Sequence, residues 1–310
     1  MRYGFVGLGT LGARLAANLL TGGITLKAYD LNAEAMANAE ALGAAPAASV
    51  ADAATDVRGL ITCLPSPAAS QAVLAGPDGA FAHMAPGTTW IEMSTLGVDD
   101  IKRLSACAAE HGVKTLEAPL TGGVHRAVSG EMTILAGGDH EVLHAHRAAL
   151  ELMSAQIVHM GPIGSASLIK VISNMLCLID LVAAGEALSL AKAGGLDLGK
   201  AYEAITASSG NSREFEDWAP VILNGSLNTG FTLDLGLKDL GFVSDLGRVH
   251  DVPLKLASLV EQLFIEARAK HGGGAWTPHV VKMMEEATGL ELRAEGFQDV
   301  IPKDETQLSS

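Results

Sequence analysis

Near its N-terminus the chain reads Gly7-Leu8-Gly9-Thr10-Leu11-Gly12, directly after an apolar run at residues 3–6 and directly before a helical pattern at residues 11–20. This Gly-x-Gly-x-x-Gly turn constrains the fold more than any other feature. The first glycine allows a tight turn, the second lets backbone approach a pyrophosphate, and the third lets helix and strand pack closely. Phosphates then meet free N–H groups and the positive end of the helix dipole. Alone the pattern is weak. Here it has its strand and its helix, and Asp30 closes the next apolar run eighteen positions after Gly12. An acid roughly 20 residues on takes hydrogen bonds from the adenosine ribose. The competing reading is a glycine-rich turn with an ordinary helix-capping Asp. A carboxylate at 30 repels a 2′-phosphate, and Leu31 and Asn32 supply no arginine to bind one. The expected cofactor is therefore NAD rather than NADP, held by Gly7, Leu8, Gly9, Thr10, Leu11, Gly12 and Asp30.

The alternation continues beyond this unit. Strands are expected at residues 3–6, 25–29, 59–63, 89–92, 114–117, 132–136 and 156–159, with helices between most of them. Alternation of this kind implies a parallel sheet covered on both faces, an α/β fold of Rossmann type. Past residue 161 no strand run remains. Helical patterns at 164–193, 199–207, 215–223, 232–249, 253–270 and 277–288 predict an all-α second domain. The expected organisation is a dinucleotide-binding domain at 1–162, a helical substrate and dimerisation domain at 163–295, and a loose polar tail at 296–310.

Composition narrows the function. The 310 residues are 48% hydrophobic and 18% charged, enough to bury a large core, and the formal charge is −14. Nucleic acid and anionic membranes select basic surfaces, so neither is an expected partner. Cys63, Cys107 and Cys177 are far apart and odd in number, which disfavours a disulfide framework or structural zinc and favours three core thiols in a reducing cytoplasm. Met1-Arg2-Tyr3-Gly4 leads straight into a strand, so no leader is expected. The helix at 164–193 is broken by Asp180 and Glu186 and reads as a buried helix, too polar for a membrane span.

Lys170 and Asn174 stand four apart in an apolar helical stretch and so share a face. From the residues alone they could be functional or merely exposed. Four ordered motifs decide the reading. They are Gly7 to Gly12 with Ala16-Ala17-Asn18-Leu19; Glu117-Ala118-Pro119-Leu120-Thr121-Gly122-Gly123 with Gly130 and Gly137-Gly138; the Lys170/Asn174 helix; and Gly230-Phe231 with Leu237-Lys238-Asp239-Leu240. Together they resemble the β-hydroxyacid dehydrogenases, the group containing 3-hydroxyisobutyrate dehydrogenase and tartronate semialdehyde reductase, over nearly the whole chain to about residue 295. The resemblance implies roles. Lys170 corresponds to a catalytic lysine and Asn174 to a substrate-orienting asparagine. Thr121, Gly122 and Gly123 correspond to a carboxylate-binding Ser-Gly-Gly segment. Lys238 corresponds to a second lysine lining the site, counted with both substrate and cofactor, and Leu64, Pro65, Ser94 and Thr95 to loops bordering the nicotinamide. A small-molecule carboxylate substrate and a homodimer or homotetramer are also implied. The chain departs from the common pattern at Thr121 (usually serine), Ala166 (often glycine), Ser173 (often asparagine) and Leu11 (often methionine). These changes bear on the substrate more than on the chemistry.

The implied reaction is hydride transfer between NAD and a small 3-hydroxy acid or its semialdehyde, such as 3-hydroxyisobutyrate, glycerate or threonate. Lys170 would move the hydroxyl proton, and burial beside Lys238 would favour its neutral amine. Imine reductases and non-catalytic dinucleotide-binding modules are the alternatives, and both usually lack the lysine. His140-Glu141-Val142-Leu143-His144 satisfies a zinc-peptidase pattern but follows the Gly137-Gly138-Asp139 turn, so a sheet-covering helix is expected and no metal. His125 and Arg126 follow the carboxylate loop and are candidates for reaching the far end of a substrate. Asn211, Ser212 and Arg213 either help close the pocket or form a loop.

Overall fold

Apolar runs of four to six residues, each buried on both sides, need a helical layer above and below. The first 161 residues supply both. The computed structural model describes residues 1–299. Its first elements are β1 (Arg2–Val6), α1 (Gly12–Thr21), β2 (Thr25–Tyr29), α2 (Ala33–Ala41), β3 (Ala45–Pro46), α3 (Val50–Ala54), β4 (Gly59–Thr62) and α4 (Pro67–Ala75). They continue with β5 (Thr89–Glu92), α5 (Val98–Glu110), β6 (Lys114–Glu117), β7 (Leu120–Thr121), α6 (Val124–Val128), β8 (Met132–Gly137), α7 (His140–Leu150) and β9 (Ser154–Gly161). The strands form one sheet in the order β3-β2-β1-β4-β5-β6-β8-β7, with β9 on β8. The six from β3 to β6 are parallel, the Rossmann arrangement. Phe5, Leu26, Ile61, Ile91 and Leu116 pack with Leu15 and Leu19 in one core, while Leu60, Trp90, Ile101 and Leu104 belong to another.

Three features differ from the expectations. The sheet is mixed, because β8 runs antiparallel to β6 and β7. Direction leaves no mark on an apolar run, so the sequence carried no sign of it. The strands β3 and β7 are two residues long and too short to show alternation. Finally, among the described residues Cys63, Cys107 and Cys177 form no disulfide, and they are half-buried rather than fully in the core.

The helix α8 (Ser165–Ala193) leads into α9 (Leu198–Thr206), α10 (Arg213–Leu223), α11 (Leu233–Val249), α12 (Lys255–His271) and α13 (His279–Thr288). The chain divides into two compact units, one ending at Lys170 and the other starting at Val171. The buried positions of α8 include Ser167, Lys170, Val171, Asn174, Leu178, Leu181, Val182 and Leu188. That three-to-four spacing is one helical stripe, and it carries both candidate residues. By length and composition α8 is apolar enough to cross a membrane, contrary to the expectation. Its Leu178, Leu181, Val182 and Leu188 instead join Trp218, Leu240, Phe264 and Val281 in the core of the second unit. A Cβ at Gly185 would lie 2.6 Å from Val281, so its absence lets α8 and α13 approach. Part of the expected tail is docked: Phe297 meets Tyr202 edge-on at 5.1 Å and Asn224 donates to Asp299 at 2.9 Å. The rest of that segment lies outside the described residues.

On α7, Val142, Leu143 and His146 face inward, while His140, Glu141 and His144 are exposed. His146 is 3% exposed and bonds through Nδ1 to the Tyr3 hydroxyl at 2.8 Å. Burial, then the charges of Arg58 and Lys114, push its pKa down to about 4. The folded state therefore needs it neutral, whereas the unfolded chain protonates it below about 6.5. Stability is lost as pH falls from about 6.5 to 4, by up to about 3 kcal/mol. Urea midpoints at pH 7 and pH 4.5 should show the wild type losing more than His146→Gln; equal losses would refute this role.

Candidate active site

The C-terminal ends of parallel strands are where an open α/β sheet binds ligands, and the expected cofactor residues gather there. Gly7 follows β1 with φ +99°, a conformation that L side chains resist. A Cβ at Gly12 would lie 2.0 Å from the Gly7 carbonyl oxygen, so only glycine lets α1 sit this close. A Cβ at Gly9 would meet nothing within 4 Å. Gly9 is exposed and its backbone face is open to a ligand. The start of α1 has no side-chain cap and no acid in its first turn, so the positive end of its dipole is not countered there and favours an anion. Arg14, which the sequence reading passed over, donates to the Thr10 carbonyl and stands as a cation beside the turn. At the end of β2, Asp30 accepts from Leu8 N at 2.5 Å and from Asn32 N at 2.8 Å. The carboxylate is thus fixed against the turn. These features fit a dinucleotide.

The next two strand ends are tied together. Leu64 N donates to Ser94 Oγ at 2.7 Å, and Ser94 N donates to Glu92 Oε1 at 2.8 Å. The loops carrying Leu64-Pro65 and Ser94-Thr95 are therefore braced through Glu92, a residue 1% exposed that the sequence did not single out. Burial raises the Glu92 pKa to about 7, against the lowering effect of bonds from Ser94, Thr62 and Ser70.

At the end of β6 the chain turns through β7 into Thr121-Gly122-Gly123. Both glycines have positive φ, +125° and +78°. A Cβ at Gly122 would approach Arg126 Cδ to 3.2 Å, and one at Gly123 the His125 ring to 2.9 Å. Arg126 and His125 therefore fold back over the loop they follow. Glu117, also 1% exposed, accepts from Gly164 N, from Ser167 N at 2.8 Å and from Ser167 Oγ at 2.6 Å. It caps the beginning of α8, on which Lys170 follows, 8% exposed. Asn174, also 8% exposed, lies one turn further on.

In the second unit, Asn174 Nδ2 donates to Asp239 Oδ2 at 2.5 Å, and Lys238 Nζ lies 3.2 Å from Asp239 Oδ1. Asp239 is 2% exposed and holds both expected site residues. Thr232 caps α11 after the Gly230 turn, which sets the register of Lys238 and Asp239 two turns on. Lys238 also lies over the Phe242 ring at 5.6 Å. Asn211, Ser212 and Arg213 are the start of α10, with Ser212 as its cap and Arg213 exposed. Among the described residues, no three His, Cys, Asp or Glu side chains are grouped to hold a metal.

Two family models match end to end. The NAD-binding domain of 6-phosphogluconate dehydrogenase covers residues 2–161, and the NAD-binding domain of NADP-dependent 3-hydroxyisobutyrate dehydrogenase covers 164–284. The L-threonate dehydrogenase of Cupriavidus necator is 33% identical over 93% of this chain and 97% of its own. The chain belongs to the β-hydroxyacid dehydrogenase family. The NAD-dependent L-serine dehydrogenase of Pseudomonas aeruginosa, a relative, is 33% identical over 84% of this chain and 90% of its own. The solved 3-hydroxyisobutyrate dehydrogenase of Mycobacterium tuberculosis with L-serine superposes with a TM-score of 0.82, at 29% identity, over 91% of this chain and 98% of that one. This β-hydroxyacid dehydrogenase is therefore an oxidoreductase that uses NAD(P).

Glu92 gives the enzyme a pH signature. Its folded pKa is about 7 against an ordinary 4.5. The unfolded carboxyl loses its proton first, so stability falls as pH rises from about 4.5 to 7, by up to about 3 kcal/mol. Glu92→Gln, which keeps the neutral shape, should flatten this slope in melts between pH 5 and 8. An unchanged slope would refute the assignment.

Proposed function

We propose that this enzyme interconverts a small 3-hydroxy acid and its carbonyl form, with NAD as preferred cofactor and Lys170 as general acid/base. The supporting observation is the burial of Lys170 and Asn174 on one stripe of α8. Polar side chains are buried where they find partners, as Asn174 does in Asp239, and these two stand where the family resemblance places its catalytic pair. Bound at the glycine turn, with Asp30 toward its ribose and Leu64, Pro65, Ser94 and Thr95 bordering its nicotinamide, the dinucleotide supplies the two-electron redox chemistry as a hydride acceptor or donor.

The chain's own residues do the rest. Thr121 Oγ and the Gly122 and Gly123 amides bind the substrate carboxylate, which fixes the hydroxyl-bearing carbon. Lys170 Nζ, as the neutral amine, takes the hydroxyl proton during oxidation and returns it during reduction. Asn174, held by Asp239, orients the substrate. Lys238, ion-paired to the same Asp239, is assigned to the substrate as a second lysine. Relatives named for L-threonate and L-serine favour a hydroxylated three- or four-carbon acid. Exposed Ile172 and Leu176 on α8 and Leu256 and Leu259 on α12 favour a homodimer or homotetramer, which light scattering on the purified enzyme checks.

Lys170→Ala should lower kcat about 10²–10⁴-fold across a screen of threonate, glycerate, 3-hydroxyisobutyrate and serine, with NADH binding intact. Retained turnover would sink the assignment of Lys170. NAD should exceed NADP in kcat/KM because Asp30 repels a 2′-phosphate and Leu31, 91% exposed, offers it no cation. Asp30→Ala should narrow that gap at least tenfold, and a wild-type preference for NADP would overturn this reading.

A further inference from the structure

Glu117 ends β6 four residues before Thr121, and its carboxylate reaches the start of α8. Its Oε1 accepts from Gly164 N, while its Oε2 accepts from both the amide and the hydroxyl of Ser167. Ser167 lies three residues before Lys170, within the same turn of helix. Gly137, paired with Glu117 across the sheet, makes the room: a Cβ there would lie 2.6 Å from Glu117 Oε1 and 3.1 Å from Ala166 Cβ. The carboxylate meets the helix where free amides and the dipole favour an anion. Two oxygens of one planar group grip two separate points of the first turn. That fixes how far α8 advances and how it is rotated. A slip of one residue would swing Lys170 by about 100° around the helix axis. We propose that Glu117 is the positioning residue that sets Lys170 relative to the carboxylate-binding loop. The proposal rests on the reading of Lys170 as acid/base.

The test compares Ser167→Ala, Glu117→Gln and Lys170→Ala in the full-length enzyme. NADH titration counts intact sites, and kcat, KM and the pH–rate profile are taken per site. Ser167→Ala removes one donor and should bind NADH as the wild type does, with kcat several-fold lower and the limb of the pH profile due to the base displaced. Glu117→Gln presents an N–H to a backbone donor and should cost kcat at least tenfold, with KM changed less. Should Glu117→Gln fail to fold, Ser167→Ala carries the test alone. Wild-type kcat per site and an unmoved pH profile, even with a lowered Tm, would make Glu117 a brace only and overturn the proposal. Lys170→Ala separates the two failures. If it keeps turnover, the acid/base reading falls. If it is inactive while the other two variants match wild type, only the positioning role falls.

Discussion

Three hydrogen bonds converge on the buried carboxylate of Glu117, and the start of α8 depends on them. A helix of 29 residues begins with amides that have no partner within the helix. Leaving such a donor buried and unmade costs about 1–3 kcal/mol. Meeting that need from β6 joins the sheet edge to the helix that bears Lys170. The space for the joint comes from Gly137, so a residue with no side chain and one with a long acidic side chain are parts of one device. The same logic runs through the second unit. There Asp239 is buried yet bonded, and its two oxygens hold Asn174 and Lys238. In both places a buried acid is satisfied by donors of the protein itself rather than by solvent.

What was legible in the sequence was what chain neighbours determine. Gly7, Gly9 and Gly12 act within six residues; Gly7 has a positive φ, Gly12 admits the close approach of α1, and Gly9 faces open space. Strand and helix periods placed nearly every element within a residue or two, because each buries a face with its own period. Lys170 and Asn174 stood out because polar residues interrupted an apolar stripe. Glu92, Glu117 and Asp239 did not stand out as site-building residues. The partners of Glu117 and Asp239, namely Gly164, Ser167 and Asn174, lie 47, 50 and 65 positions away in the chain, and no local pattern reports such pairings. The direction of β8 was hidden for the same reason.

Local pattern also misleads where burial decides the outcome. His140-Glu141-x-x-His144 has the spacing of a zinc site, yet the stripe of α7 that enters the core is Val142, Leu143 and His146. The motif's own residues lie on the opposite, exposed side. The polar breaks in α8 were weighed in the same local way. Asp180 and Glu186 suggested a helix too polar for a bilayer, but the apolar residues around them keep the span apolar enough on average to cross one. What makes α8 a core helix is the set of residues packed around Leu178, Leu181 and Leu188.

Three acids stand at the C-terminal ends of the parallel strands β2, β5 and β6, and their surroundings give them different work. Asp30 ends β2 half-exposed, fastened by two amides and open to a sugar. Glu92 ends β5 wholly buried among hydroxyls, and it titrates near neutrality because burial outweighs the bonds it accepts. Its use is to brace the Leu64 and Ser94 loops. Glu117 ends β6 in register with Glu92, yet it meets the first turn of α8 instead of hydroxyls and serves as a helix cap. A fastening of the glycine turn, a loop brace and a helix cap thus arise from one residue class at equivalent ends of parallel strands. The strand end supplies the position. The donors brought there, by the glycine turn for Asp30, by β4, α4 and the loop after β5 for Glu92, and by the start of α8 for Glu117, decide what each carboxyl does.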